Sequence, residues 1–181
     1  MGQIEKQLKN MDSVTVQHIR KLELNFSKYF IQACDSYQNS LRSDKTWDSY
    51  FETPDLSQLQ LKLLGINAHI NGDLWKALRD SYKADEIRDM GKTVFLFHQS
   101  LLNIYEAVYA DAIKESQKIK VLHTISFGLS KKYGKYLLVK WRKRQIKIAT
   151  LYYFDKEKFE RKLNKVENKR EKIEALIIQK L

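Results

Sequence analysis

A histidine and an aspartate four residues apart carry the clearest chemical signal in the sequence. His69 and Asp73 lie in the stretch 63–78, where polar residues are interspersed with apolar ones. At about 100° per residue, a spacing of four places both side chains on one face of a helix. An imidazole oriented by a carboxylate is an arrangement used in acid–base catalysis. We therefore treat the pair as a candidate catalytic site, with a structural hydrogen bond in the core as the alternative.

A metal ion bound by this pair is possible but not favoured, because metal sites use three or more protein ligands. The remaining histidines are His18, His98 and His123, and no spacing ties any of them to the pair. The cofactor is therefore left undetermined by the sequence.

Two asparagines lie on the apolar side of the same predicted helix, opposite the histidine. An unpaired buried amide costs about 1–3 kcal/mol, so Asn67 and Asn71 are expected to hold a neighbouring backbone or a ligand. We name both as candidate ligand-binding residues and add Glu23, a second carboxylate that could serve the same site.

Arg142 lies on an otherwise apolar stripe of a predicted helix spanning 135–153. A buried guanidinium needs an anion, which Asp73, Glu23 or a bound ligand could supply. We predict a salt bridge between Asp73 and Arg142 that joins two helices, and we include Arg142 among the candidate catalytic residues. A structural salt bridge is the alternative.

The stretch 63–78 lies on a long central helix that we predict over 54–82. Thr53 is its predicted cap, and Pro54 occupies its first position. Asn71-Gly72 is a turn dipeptide, which offers an alternative. In that alternative the helix breaks there and Asp73 caps a second one.

The rest of the chain shows helical periodicity and few breaks, with one proline and six glycines. Further helices are predicted at about 14–41, 93–118, 120–129, 135–153 and 156–181, with a loop at 83–91. The predicted fold is an all-α, single-domain bundle of five to seven helices around the 54–82 helix. Residues 1–155 form its core, and 156–181 form a basic amphipathic helix that packs on the core or extends from it. The predicted apolar stripe of this last helix repeats at spacings of three and four and includes one arginine: Phe159, Leu163, Val166, Arg170, Ile173 and Ile177.

Positive charge is concentrated at the end of the chain. Residues 131–181 hold 17 Lys and Arg against 6 Asp and Glu, which accounts for the whole formal net charge of +11. The densest part is Lys140, Arg142, Lys143, Arg144 and Lys147, interleaved with Trp141, Tyr152, Tyr153 and Phe154. Such a segment can be a helix face exposed to solvent. It can also be a surface that binds nucleic acid, another protein or an anionic membrane. Homo-oligomerisation through the last helix is a further alternative.

The sequence lacks features that several classes of protein require. There is no apolar run of about 18 residues and no apolar signal core. The single cysteine, Cys34, excludes an intramolecular disulfide framework. Nucleophile motifs and a glycine-rich phosphate loop are also missing. These observations predict a cytoplasmic protein.

Residues 64–74 resemble the signature of domain-of-unknown-function family 5995, a mainly bacterial helical family whose pattern contains N-A-H-I-N-x-D-L. Residues 22–30 resemble a flanking family segment, with Glu23 where the family usually has Asp, and Trp141-Arg142 begins another. Trp75 stands at the family's proline. The resemblance covers roughly 16–155 and implies an all-helical fold, without an activity.

Two functions remain open at this stage. One is a small-molecule-binding domain or hydrolytic enzyme, with the site built from the motif and Arg142. The other is a non-enzymatic interaction module that uses its basic C-terminal face. An open cavity at His69 and Asp73 favours the first, and a solid core there favours the second.

Overall fold

The computed structural model describes residues 13–41, 45–88 and 129–180, together with 106–107, 109–114, 116–117, 119 and 124. Every element in these ranges is helical, which confirms the predicted all-α fold. In order, they are α1 (Ser13–Gln38), α2 (Asp48–Glu52), α3 (Gln58–Ala68), a π-helical turn (His69–Asp73), α4 (Leu74–Ser81), a 3-10 turn (Glu86–Arg88), α5 (Leu129–Phe154) and α6 (Lys156–Lys180). The predicted helices 93–118 and 120–129 fall mainly outside the described residues, as do His98 and His123.

Three predicted helix boundaries differ from those in the structure. The central helix begins at Gln58, because Ser57 caps it: the Ser57 hydroxyl accepts from the backbone of Gln60, whose side chain accepts from the backbone of Ser57. The predicted start at Pro54 was wrong, since Asp55 is left-handed with a φ of 56°. Helix α1 ends at Gln38 rather than at 41, and Ser40 after it has a φ of 53°. Helix α5 begins at Leu129, six residues before the predicted start at 135.

The central helix neither breaks nor runs as an uninterrupted α-helix at Asn71-Gly72. The chain makes one π-helical turn there and continues into α4. Asp73 keeps a helical backbone and makes no side-chain capping bond, which excludes the alternative of a break with an aspartate cap. A Cβ at Gly72 would lie 2.1 Å from Cγ2 of Thr46. The glycine therefore lets the segment before α2 lie directly against the helix.

The π-helical turn lies at the centre of the fold. Residues 70–75 are all buried, which requires neighbours on every side of the helix. Helices α1 and α5 pack against α4, and α6 packs against α3. Their contacts form one apolar cluster that includes Leu22, Leu78, Ile148 and Val166.

Helices α5 and α6 form a hairpin with a sharp joint at Asp155. The Asp155 carboxylate accepts from the backbone N–H of Lys158 at 3.0 Å, which caps the start of α6. Val166, Arg170 and Ile177, all on the predicted stripe of α6, are buried. Within the described ranges no helix is long and apolar enough to cross a membrane.

Candidate functional site

Asp73 is the charged centre of the buried motif. Its side chain is fully buried, and Oδ2 accepts a hydrogen bond of 2.9 Å from the indole N–H of Trp47. The imidazole Nδ1 of His69 lies 3.5 Å from Oδ2, and the Lys76 ammonium lies 3.5 Å from Oδ1. A buried carboxylate is stable only with such partners. Asp73 therefore ties the central helix to the segment that precedes α2.

His69 is packed among aromatic rings. Phe26 stacks on the imidazole at 4.6 Å between ring centroids, and Trp47 meets it edge-on at 4.7 Å. Phe30 lies 5.7 Å away on a third side. The His69 side chain is 26% exposed, against 1% for that of Asp73. The two predicted catalytic residues are thus brought together, in surroundings that are packed rather than open.

Arg142 does not form the predicted salt bridge with Asp73. The described contacts of Asp73 are those of Oδ2 with Trp47 and His69, and the approach of the Lys76 ammonium to Oδ1 at 3.5 Å. Arg142 is buried, and burial lowers its pKa to about 9.

A hydrogen bond between α5 and the π-helical turn lies one turn further along α5, and Tyr153 near the end of α5 donates to the backbone oxygen of Arg79 at 2.7 Å. The Gln145 amide donates to the backbone carbonyl of Asn71 at 3.2 Å. A glutamine that follows the arginine by three residues on α5 therefore makes the connection that we had predicted for Arg142.

Asn67 holds the backbone of α6, and Asn71 holds the side chain of Asn67. Fixing a neighbouring backbone was one of the two roles expected for them. The Asn71 amide donates to Oδ1 of Asn67 at 2.8 Å, and Asn67 donates to the carbonyl oxygen of Arg170 at 3.1 Å. Asn67 also approaches Oε1 of Glu174 at 3.4 Å. These bonds use the amide donors for internal structure.

Glu23 lies apart from this network. It is half-buried on α1, where burial raises its pKa and the nearby Arg20 opposes the rise. Among the described contacts, no hydrogen bond or ion pair joins Glu23 to His69, Asp73 or Arg142.

A second buried charge pair was missed at the sequence level. Arg170 and Glu174 form an ion pair on the inner face of α6. Arg170 also donates to the backbone oxygen of Thr46 at 3.2 Å, and Ser49 donates to Glu174 at 3.0 Å. Burial raises the pKa of Glu174, while Arg170 opposes the rise. The sequence does contain a signal for this pair. Arg170 lies on the apolar stripe of the last helix, and Glu174 follows it by four residues on the same side.

Metal coordination finds no support in the part of the chain that is described. No three or more His, Cys, Asp and Glu side chains in those ranges are grouped so that they could hold an ion. His18, one of the histidines considered as a further ligand, instead lies edge-on to the ring of Tyr82 at 5.7 Å.

The hairpin of α5 and α6 forms a groove lined by positive charge. Two cavities of about 360 and 310 Å³ follow one another along it. We define the basic groove by its nine cationic residues: Lys140, Arg144 and Lys147 of α5, with Lys158, Arg161, Lys162, Lys165, Lys169 and Lys172 of α6. Among the described residues, no acidic side chain lines either cavity.

Only part of the basic segment singled out in the sequence lines this groove. Lys140, Arg144 and Lys147 do, and Trp141 contributes its half-buried ring. Arg142 points into the core instead. The six cations of α6 were not singled out, although their spacing of three and four along one helix was readable.

Most acidic residues of α6 lie away from the groove cations, although Lys158 at the start of the helix pairs with Asp155 at 2.6 Å. The groove cations fall within an arc of about 100° on the helix, whereas Glu160, Glu167 and Glu171 lie on the far side. Burial lowers the pKa of Lys162, and the adjacent positive charges, above all Lys147, lower it further. The groove therefore concentrates positive charge.

The family of the chain is shown by its sequence. A family model described as "Family of unknown function (DUF5995)" matches residues 3–180, nearly the whole chain. No curated protein and no solved structure matches it. The match extends well beyond residues 16–155, which the motif resemblance covers. The description of the family assigns no activity. On this evidence the chain belongs to DUF5995, a family of unknown function.

Proposed function

We propose that the protein is a binding module that takes nucleic acid along its basic groove. The observation that carries this proposal is the row of nine cationic side chains in a groove where no described lining residue is acidic. Neutralising phosphates with Lys and Arg releases counterions, which supplies most of the affinity of sequence-independent binding. A solvated helix face would instead interleave charges of both signs.

The dimensions of the groove suit an extended polyanion. Lys158 and Lys172 are 14 residues apart on α6, which at about 1.5 Å per residue gives a row about 21 Å long. A single bound ion would neutralise only part of such a row. A chain of phosphates matches both its length and its charge.

The buried motif serves the fold in this proposal. Support comes from the rings that enclose His69 and from the indole N–H that holds Asp73. Asn67 and Asn71 then fix α6, which carries most of the groove cations, to the central helix. Arg142 is assigned no catalytic role, and a cytoplasmic location is part of the proposal because nucleic acid is present there.

The test is the anisotropy of a fluorescent oligonucleotide, measured against salt. The variant Lys165→Gln/Lys169→Gln removes two groove charges, and Lys45→Gln/Lys156→Gln removes two exposed lysines that do not line the groove. At about 0.1 M salt, two phosphate contacts are worth roughly 25-fold in affinity at a slope of about 0.7 per contact. We expect that loss for the groove variant and little loss for the control.

Three outcomes would reject the proposal. The first is no binding of DNA or RNA by the wild type at low salt. The second is an equal loss in both double variants, which would show that net charge alone determines binding. The third is binding to vesicles rich in anionic lipid without binding to oligonucleotides, which would assign the groove to a membrane surface.

A further inference from the structure

The basic groove continues at one end into exposed aromatic rings. Tyr133 and Tyr136 precede Lys140 on α5, and they are 61% and 56% exposed. Their ring centroids lie 6.3 Å apart with 30° between the ring planes, so the two rings form a stacked pair. The Lys140 ammonium lies 5.8 Å from the centroid of Tyr136. This pair, the tyrosine platform, is thus in direct contact with the first cation of the groove.

The platform and the groove share one face of α5. At about 100° per residue, Tyr133, Tyr136, Lys140, Arg144 and Lys147 fall within an arc of about 80°. From Tyr133 to Lys147 is 14 residues, or about 21 Å along the helix axis. A chain that lies on the groove cations and continues in the same direction therefore reaches the two rings.

We propose that the ligand of the groove is single-stranded nucleic acid whose bases stack on Tyr133 and Tyr136. This inference rests on the proposed function and adds the form of the nucleic acid. Duplex bases are stacked on one another and cannot reach a protein ring, so a duplex would use the cations alone. Non-specific single-strand sites combine a cationic track with aromatic stacking surfaces, and the described face of α5 provides both.

The cations and the rings have separable effects on binding. Stacking is worth about 1–3 kcal/mol per base, which corresponds to about 5- to 150-fold in affinity. This contribution is insensitive to salt, whereas that of the lysines falls steeply as salt rises.

The experiment compares Tyr133→Ala/Tyr136→Ala with Tyr133→Phe/Tyr136→Phe. Both are titrated with a labelled oligothymidylate and with a duplex of the same length. We expect the alanine variant to lose at least about fivefold in affinity for the single strand. Its duplex affinity should be unchanged, and the phenylalanine variant, which keeps both ring faces, should bind like the wild type. Circular dichroism of each variant checks that α5 remains folded.

Two results would overturn the inference while leaving the proposed function in place. One is an equal loss for single strand and duplex in the alanine variant. The other is unchanged single-strand binding in that variant, while Lys165→Gln/Lys169→Gln still weakens it. If the wild type binds neither probe at low salt, the proposed function fails together with the inference.

Discussion

Replacing Gly72 by alanine should destabilise the protein, although alanine normally favours helices. The added Cβ would lie 2.1 Å from Cγ2 of Thr46, 3.0 Å from its Oγ1 and 3.2 Å from its Cβ. All three atoms belong to a buried side chain, so either this side chain or the backbone before α2 must move. Overpacking of this kind costs about 1–3 kcal/mol.

Gly65→Ala is the matched control on the same central helix. A Cβ there would meet Cε2 of Tyr50 at 3.6 Å, which is an ordinary contact. The change should therefore stabilise by about 0.5–1 kcal/mol through backbone entropy alone. In a chain of this size, 1 kcal/mol shifts the melting temperature by about 2–4 °C, so thermal unfolding separates the two variants clearly.

A second substitution tests the cause. Thr46→Ser deletes Cγ2 and keeps the hydroxyl that accepts from Lys76 at 3.4 Å. Combined with Gly72→Ala, it should recover part of the lost free energy of unfolding, with a coupling of about 1 kcal/mol in a urea double-mutant cycle. The reasoning would be refuted if Gly72→Ala were as stable as Gly65→Ala. Strictly additive substitutions would also refute it.

Two further predictions concern the attachment of α6. Asn67→Ala should cost about 1–3 kcal/mol of unfolding free energy, because it leaves the buried Asn71 amide without the oxygen that it donates to. Asn164→Ala, on the exposed face of α6, should change the free energy of urea unfolding by less than about 0.5 kcal/mol. Burial raises the pKa of Glu174 above its ordinary value of 4.5. The folded state therefore gains stability from protonated Glu174. This contribution is fully present below pH 4.5 and is lost as the pH rises through the raised pKa. The stability of the wild type minus that of Glu174→Gln should therefore fall as pH rises from about 4 to about 7, and a pH-independent difference would contradict this.

The helices themselves could be predicted from the sequence, because their apolar spacing is a local property. The stripe of Val166, Arg170 and Ile177 does face the interior, as its periodicity indicated. The adjacency of His69 and Asp73 was equally local, since residues four apart meet on any helix.

Other features of the buried site depended on contacts between distant segments. Gly72 is needed because Thr46 lies against it, and a local sequence pattern cannot show that approach. For the same reason the partner of Asp73 proved to be Trp47, from 26 residues away, rather than Arg142. A carboxylate pairs with the donor that the packing brings nearest, and a helical wheel gives only the direction of its side chain.

The basic groove shows the same division between local and tertiary information. The charge of residues 131–181 was evident in the sequence, but its placement was not. The sharp joint at Asp155 turns α6 back along α5, so that Lys147 and Lys165 line one cavity although they are 18 residues apart. Sequence determines which helices form and which of their faces are charged or apolar, because those properties repeat within a few turns. Only the tertiary structure decides which faces meet, because that choice depends on packing between segments that are far apart in the chain.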